Sequence, residues 1–146
     1  MLDNLKIKIF ADGADLESIK TLNEKNYIKG FTTNPSLMKK AGIKDYKDFA
    51  TKLLSEIKNK PISFEVFSDD IIEMEKQAEE IASWGGNVNV KIPITNTKKE
   101  PTTELIRKLS SKGIICNITA IFTISQMRDV VEVLDKKTPA ILSVFA

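Results

Sequence analysis

The stretch GNVNVKIPITN, Gly86 to Asn96, decides how the chain is read. Val88, Val90, Ile92 and Ile94 share one parity, and Asn87, Asn89 and Lys91 share the other. A strand sends alternate side chains to opposite faces, so this run is a strand with one apolar and one polar face. Lys91 stands in the middle of the polar face. Lysine is almost never buried without a partner. It is therefore either a solvated surface charge or a charge held inside for a purpose, and its surroundings decide which.

Five further apolar or β-branched runs flank it: KIKIFA (6–11), IKGFTT (28–33), PISFEVF (61–67), GIICNITAIF (113–122) and PAILSVF (139–145). Between the runs lie segments of helical periodicity. They carry Leu16, Ile19 and Leu22, then Tyr46, Phe49, Leu53 and Ile57, then Ile71, Ile72, Met74, Ala78 and Ile81. Leu105, Ile106 and Leu109 follow, then Met127, Val130, Val131 and Leu134. Alternation of strand and helix predicts an α/β protein with a parallel sheet and helical crossovers. No linker or low-complexity segment divides residues 1–146, which predicts a single domain. The sheet could be open and doubly wound, or closed into a barrel. Length favours the open sheet, because a complete (β/α)8 barrel takes about 250 residues.

The strand faces favour the barrel. Near its C-terminal end each run offers polar residues of one parity: Asp12, then Thr32 and Asn34, then Ser63 and Glu65, then Asn89 and Lys91, then Asn117 and Thr119, then Ser143. Strands of an open parallel sheet are covered on both faces and read apolar on both. Six strands with one polar face each predict a shared polar interior, and barrels place their chemistry at the C-terminal ends of the strands. On this reading Lys91 points inward beside Glu65 and Asp12. Two roles fit it: half of a structural ion pair with Glu65, or a Schiff-base lysine. An amine attacks a carbonyl only when neutral, and a low-dielectric interior disfavours an ammonium.

Composition narrows the classes. The formal net charge is +2, with lysines interleaved among acids, so no basic footprint for nucleic acid is expected. No apolar run approaches the roughly 20 residues of a membrane span. MLDNLKIKIFADG at the N-terminus lacks a signal-peptide pattern, and the one cysteine, Cys116, leaves no internal disulfide, so a cytoplasmic location is expected. The chain has no histidine. Acid–base work must then fall to Asp, Glu, Lys, Tyr or water. Plain structural readings stand beside the functional ones. Asp15, and less so Asp12, reads as an N-cap. Trp84 reads as packing at a helix end, Met74 and Met127 as helix core, and Cys116 as a small buried residue.

GFTTNPSL, NVNVKIPITN, CNITAIFT and ILSVFA, with FADGADL near the start, resemble in order the motifs of the transaldolases, especially their short subfamily. The resemblance implies a (β/α)8 barrel enzyme that moves a dihydroxyacetone unit between ketose and aldose phosphates in the pentose phosphate pathway. It implies no metal or organic cofactor, and a homo-oligomer, a decamer or a dimer. By resemblance Lys91 forms the imine, Asp12 exchanges the proton of the C4 hydroxyl, and Glu65 activates a water that Thr119 helps to hold. Asn34 and Asn117 bond the hydroxyls of the three-carbon unit, Ser143 lines the donor site, and Thr32 orients the carboxylates. The sister group, the fructose-6-phosphate aldolases, typically carries glutamine in place of Glu65 and tyrosine in place of Phe145, so the resemblance favours transfer over cleavage.

In the family a Gly-Arg that helps to bind phosphate follows SVFA, and two more βα units follow that. Eight units at the spacing of about 26 residues need roughly 210 residues. The expectation is an incomplete barrel of about six units, truncated after strand six, with low stability and weak activity. The rival reading is a flavodoxin-like binding or signalling domain. It would need an acidic pair after the first strand and an aspartate ending the third, where this chain has Glu65.

Overall fold

Residues 6–144 are described by the computed structural model. Six strands and six helices occur among them: β1 (Ile9–Asp12), α1 (Leu16–Asn23), β2 (Ile28–Thr32), α2 (Pro35–Lys40), α3 (Tyr46–Glu56), β3 (Ile62–Glu65), α4 (Ile71–Ala82), β4 (Val88–Pro93), α5 (Thr103–Ser111), β5 (Cys116–Ile121), α6 (Ile124–Val133) and β6 (Ala140–Val144). They fall into two compact units, residues 6–64 with 84–88 and residues 65–83 with 89–144.

In the first unit β1 pairs in parallel with β2, Asp12 opposite Thr32, and β2 pairs in parallel with β3, Phe31 opposite Ile62. The Ile62 N–H donates to the Asn87 carbonyl at 2.9 Å, which carries the pairing to the chain entering β4. Phe31, Leu53, Ile57, Ile62 and Phe64 are buried and form the core. Phe49 and Leu53, both buried, stand four apart on the α3 stripe, the spacing that puts two side chains on one helix face. Tyr46, Phe64 and Trp84 meet edge to face, with ring centroids 5.3–5.9 Å apart, so Trp84 is the packing residue its position predicts. Gly30 has a steric cause: a Cβ there would lie 2.2 Å from the Phe10 ring. Asp15 caps α1, accepting from the Ser18 N–H. The short helix α2 was not expected. Pro35 follows β2 by three residues and opens a helix at N1, where its missing N–H is not needed.

In the second unit the Val66 N–H donates to the Lys91 carbonyl at 3.2 Å. Beyond it β4 pairs in parallel with β5, Lys91 opposite Asn117 and Pro93 opposite Thr119, and β5 pairs in parallel with β6. Met74, Ala78 and Ile81 of α4, Ile106 and Leu109 of α5, and Val90, Ile92, Ile118 and Ile121 of the strands are buried. Two residues of the expected helical stripes lie outside it: Ile72 and Val131 are 67% and 59% exposed. Val131 adjoins buried Val130, and Ile72 lies two residues before buried Met74; one or two residues turn a helical side chain by about 100° or 200° from the buried one. Lys108 and Lys112 of the α5 end pair with Glu75 of α4. None of the described helices is long and apolar enough to cross a membrane.

Candidate active site

β4 answers the question of Lys91. Val88, Val90 and Ile92 are buried on one parity, and so are Asn89 and Lys91 on the other. The strand is covered on both faces, so its polar residues are interior. The Lys91 Nζ lies 3.4 Å from Glu65 Oε2, with the two side chains 10% and 25% exposed. The Val66–Lys91 backbone bond fixes this proximity, since it sets neighbouring strands in register immediately after Glu65. The next strand continues the row. Asn117 is the in-register partner of Lys91 and is buried, and its Oδ1 accepts from Ser143 Oγ of β6 at 2.8 Å. Thr119, buried two residues further on, is level with Pro93. The second unit thus brings together Glu65, Lys91, Asn117 and Ser143 near the C-terminal ends of successive strands.

The β5 ladder shifts register between Ile118 and Ile121, and Ala120 within that interval has φ of 58°. A left-handed non-glycine residue costs roughly 1–2 kcal/mol. Bulges next to active sites re-aim side chains, and this one directly follows Thr119. A cavity of about 330 Å³ opens beside Glu65, lined among others by Ser68, Asp69, Thr95, Asn96 and Thr97.

In the first unit Asp12 ends β1 and accepts a 2.7 Å hydrogen bond from the Thr32 hydroxyl, its in-register partner on β2. Asp12 is exposed, and it is not a helix cap; that part belongs to Asp15. Asn34 caps α2, its Oδ1 accepting from the Leu37 N–H at 2.9 Å, which turns its NH2 into the end that can meet a ligand. Phe145 lies outside the described residues. Cys116 is buried, and burial pushes its thiol up to about 12, which suits packing and not nucleophilic work. Among the described residues no group of three His, Cys, Asp or Glu is placed to hold a metal.

Sequence reasoning passed over the residues that fasten the loops after β3 and β4. Gln77 Oε1 accepts from the N–H groups of Phe67 and Ser68. The Asp69 carboxylate accepts from both the N–H and the hydroxyl of Thr97. Nothing in a single sequence separates such residues from the surrounding polar loop positions. Asp70, between Asp69 and α4, caps that helix.

What the arrangement can do is limited and specific. A shielded amine stands against a carboxylate, with hydroxyl and amide groups on the adjoining strands to bind a polyol. Residues 9–146 match the family model described as Transaldolase/Fructose-6-phosphate aldolase. A protein named probable transaldolase from Dehalococcoides mccartyi is 40% identical over 120 residues, covering 82% of this chain and 54% of its own. Probable transaldolases of Streptococcus equi subsp. zooepidemicus and of a Sulfurihydrogenibium strain are 42% and 36% identical, each with 82% of this chain and 53% of their own covered. The chain thus spans about half the length of the curated relatives it matches. The six strands among its described residues, where a (β/α)8 barrel has eight, are an incomplete set of that barrel's parallel repeats. With the strand order, the buried lysine and this similarity along nearly its whole length, the chain belongs to the transaldolase/fructose-6-phosphate aldolase family.

Proposed function

We propose that this chain carries the imine-forming part of a transaldolase, with Lys91 as the Schiff-base residue. The observation that supports the reading is the burial of Lys91 against Glu65 at 3.4 Å, at the level of Asn117 on the next strand. In the proposed reaction the neutral Lys91 amine attacks the C2 carbonyl of a ketose phosphate. Loss of water leaves the iminium. Asp12 takes the proton of the C4 hydroxyl, the C3–C4 bond breaks, and its electron pair passes to the iminium nitrogen to give an enamine while the aldose phosphate departs. The enamine then attacks an acceptor aldehyde, Asp12 returns the proton, and hydrolysis frees the lysine. Glu65 relays protons during imine formation, with Thr119 holding the water it uses. Asn34, Asn117 and Ser143 bind the hydroxyls of the three-carbon unit. The role of Asp12 rests on the family resemblance together with its place at the end of β1, where Thr32 holds it.

The substrates of this reading are those of the pentose phosphate pathway: sedoheptulose 7-phosphate and glyceraldehyde 3-phosphate giving erythrose 4-phosphate and fructose 6-phosphate. A cytoplasmic homo-oligomer is the expected setting. Transfer is preferred over cleavage to free dihydroxyacetone because position 65 is a glutamate. The test is reduction with borohydride in the presence of fructose 6-phosphate, followed by peptide mass spectrometry. The expected product is a reduced adduct on Lys91 that the variant Lys91→Met cannot form. An unmodified Lys91, or an adduct confined to exposed lysines, would overturn the reading.

A further inference from the structure

We propose that Asp69 is a positioning residue, which, with Thr97, clasps the loop after β3 to the loop after β4 and so holds the Glu65 carboxylate against the Lys91 amine; the inference rests on the Schiff-base reading of that site. Lysine and glutamate are long side chains, and a close pair of them costs rotamer entropy unless the backbones beneath them are fixed. Glu65 is the last residue of β3, and Lys91 stands two residues from the end of β4. Beyond the Val66–Lys91 backbone bond, which sets the two strands in register there, further fixation at these ends falls to the loops that follow.

The loops supply it. Leaving Glu65, the N–H groups of Phe67 and Ser68 are both held by Gln77 Oε1, at 2.8 and 3.0 Å. Leaving Lys91, the Thr102 hydroxyl donates to the Pro93 carbonyl at 2.6 Å, and the Thr102 N–H to the Ile94 carbonyl. One side chain then ties the two loops together. The Asp69 carboxylate accepts from the Thr97 N–H at 2.7 Å and from its hydroxyl at 2.6 Å. Hydrogen bonds to an ionised acceptor are short and strong, and these lie within that range. The Asp69 carbonyl accepts in turn from Nδ2 of the buried Asn96, whose Oδ1 takes the N–H groups of Lys98 and Glu100. Asp69, Asn96 and Thr97 line the cavity beside Glu65, so the clasp is placed to act on the pair through the geometry of the two loops.

The test compares the intact chain with Asp69→Asn, Thr97→Val and Thr97→Ser. Asparagine offers one acceptor oxygen where aspartate offers two. Valine keeps the shape and the N–H of Thr97 but loses the hydroxyl, and serine keeps both donors. Two readouts are taken by site-resolved mass spectrometry. The first is acetylation of Lys91 by dilute acetic anhydride, relative to the exposed Lys58 in the same sample, and it needs no substrate. The second is the rate of borohydride trapping against fructose 6-phosphate concentration. Asp69→Asn and Thr97→Val are expected to raise the relative acetylation of Lys91 several-fold and to lower the maximal trapping rate about tenfold, the scale on which small misplacements act. The half-saturating concentration should stay within about twofold, and Thr97→Ser should behave as the parent. A residue that merely stabilised the loops would move neither the rate-to-saturation split nor the difference between valine and serine. Unchanged acetylation and trapping in Asp69→Asn and Thr97→Val would overturn the proposal. Should Asp69→Asn fail to fold, the valine–serine pair decides. Should the parent trap no adduct, the Schiff-base reading falls while the acetylation series still decides whether Asp69 positions the pair.

Discussion

Removing either partner of the Lys91–Glu65 pair separates an ion pair held by the fold from two charges that happen to be near each other. At 3.4 Å and an effective dielectric of about 20, opposite unit charges attract by about 5 kcal/mol. That is a ceiling. The Glu65 side chain is a quarter exposed, so water screens part of the attraction, and both groups lose hydration on folding. A coupling of about 1–3 kcal/mol is expected once these are taken off. The two single variants should be unequal. Lys91→Met leaves a carboxylate that can turn toward water. Glu65→Gln leaves an ammonium on a buried strand with a neutral neighbour, and it should be the more destabilising. A double-mutant cycle of Lys91→Met, Glu65→Gln and both together, by urea unfolding at two salt concentrations, measures the coupling directly. The double variant should recover part of the loss of Glu65→Gln. Coupling below about 0.5 kcal/mol, the level at which distant sites already add, would mean that the two charges are not held together, and the reasoning from burial to a shielded amine would fail.

Two further outcomes follow from packing. Gly30→Ala drives a methyl into the Phe10 ring, 2.2 Å from its nearest atom, so β1 or the ring must shift; thermal unfolding should show a loss of about 1–3 kcal/mol, and Phe10→Leu in the same background should recover part of it. Burial raises the Cys116 thiol to about 12, so the folded state holds this proton more tightly than the unfolded chain. Stability from this source is whole below the ordinary thiol range and is lost as pH rises toward 12, by at most about 1.4 kcal/mol per pH unit. Urea midpoints measured from pH 7.5 to 10 should fall less steeply in Cys116→Ala than in the parent, and equal slopes would refute the assignment.

Legibility tracked the range of the interaction. The β4 strand was readable because its alternation is local and unbroken from Val88 to Ile94, and a lysine among buried positions contradicts solvation within one segment. Asp15 and Cys116 were readable for the same reason. Ile72 and Val131 were misplaced because apolar identity was taken for inward direction, although each lies off the buried face of its helix. The helix α2 was hidden because proline reads first as a breaker, and its second role at N1 shows only with the Asn34 cap beside it. The clasp of Asp69 and Thr97 joins residues 28 apart through loops with no periodicity, so no pattern in the chain announces it. The aromatic trio of Tyr46, Phe64 and Trp84 was invisible on the same grounds.

The pairing of a shielded lysine with a glutamate also explains how a chain without histidine could run imine chemistry. Exposing a buried ion pair to a reaction that needs a neutral amine looks costly, because neutralising one partner strands the other. In the proposed reaction, passing the Lys91 proton to Glu65 would avoid this, since it would discharge both groups in a single step and leave no lone charge on β3 or β4. When the iminium forms, the cation returns to the same nitrogen, and the carboxylate can meet it by releasing the proton to the departing water. On the proposed reading the site would pass from one ion pair to another through a neutral intermediate. Asp12 stands in a different setting, exposed at the end of β1 and accepting from the Thr32 hydroxyl. Two acids of the same chemistry thus stand in different environments, and in the proposed reaction one would serve the amine and the other the substrate, a division that does not require an imidazole.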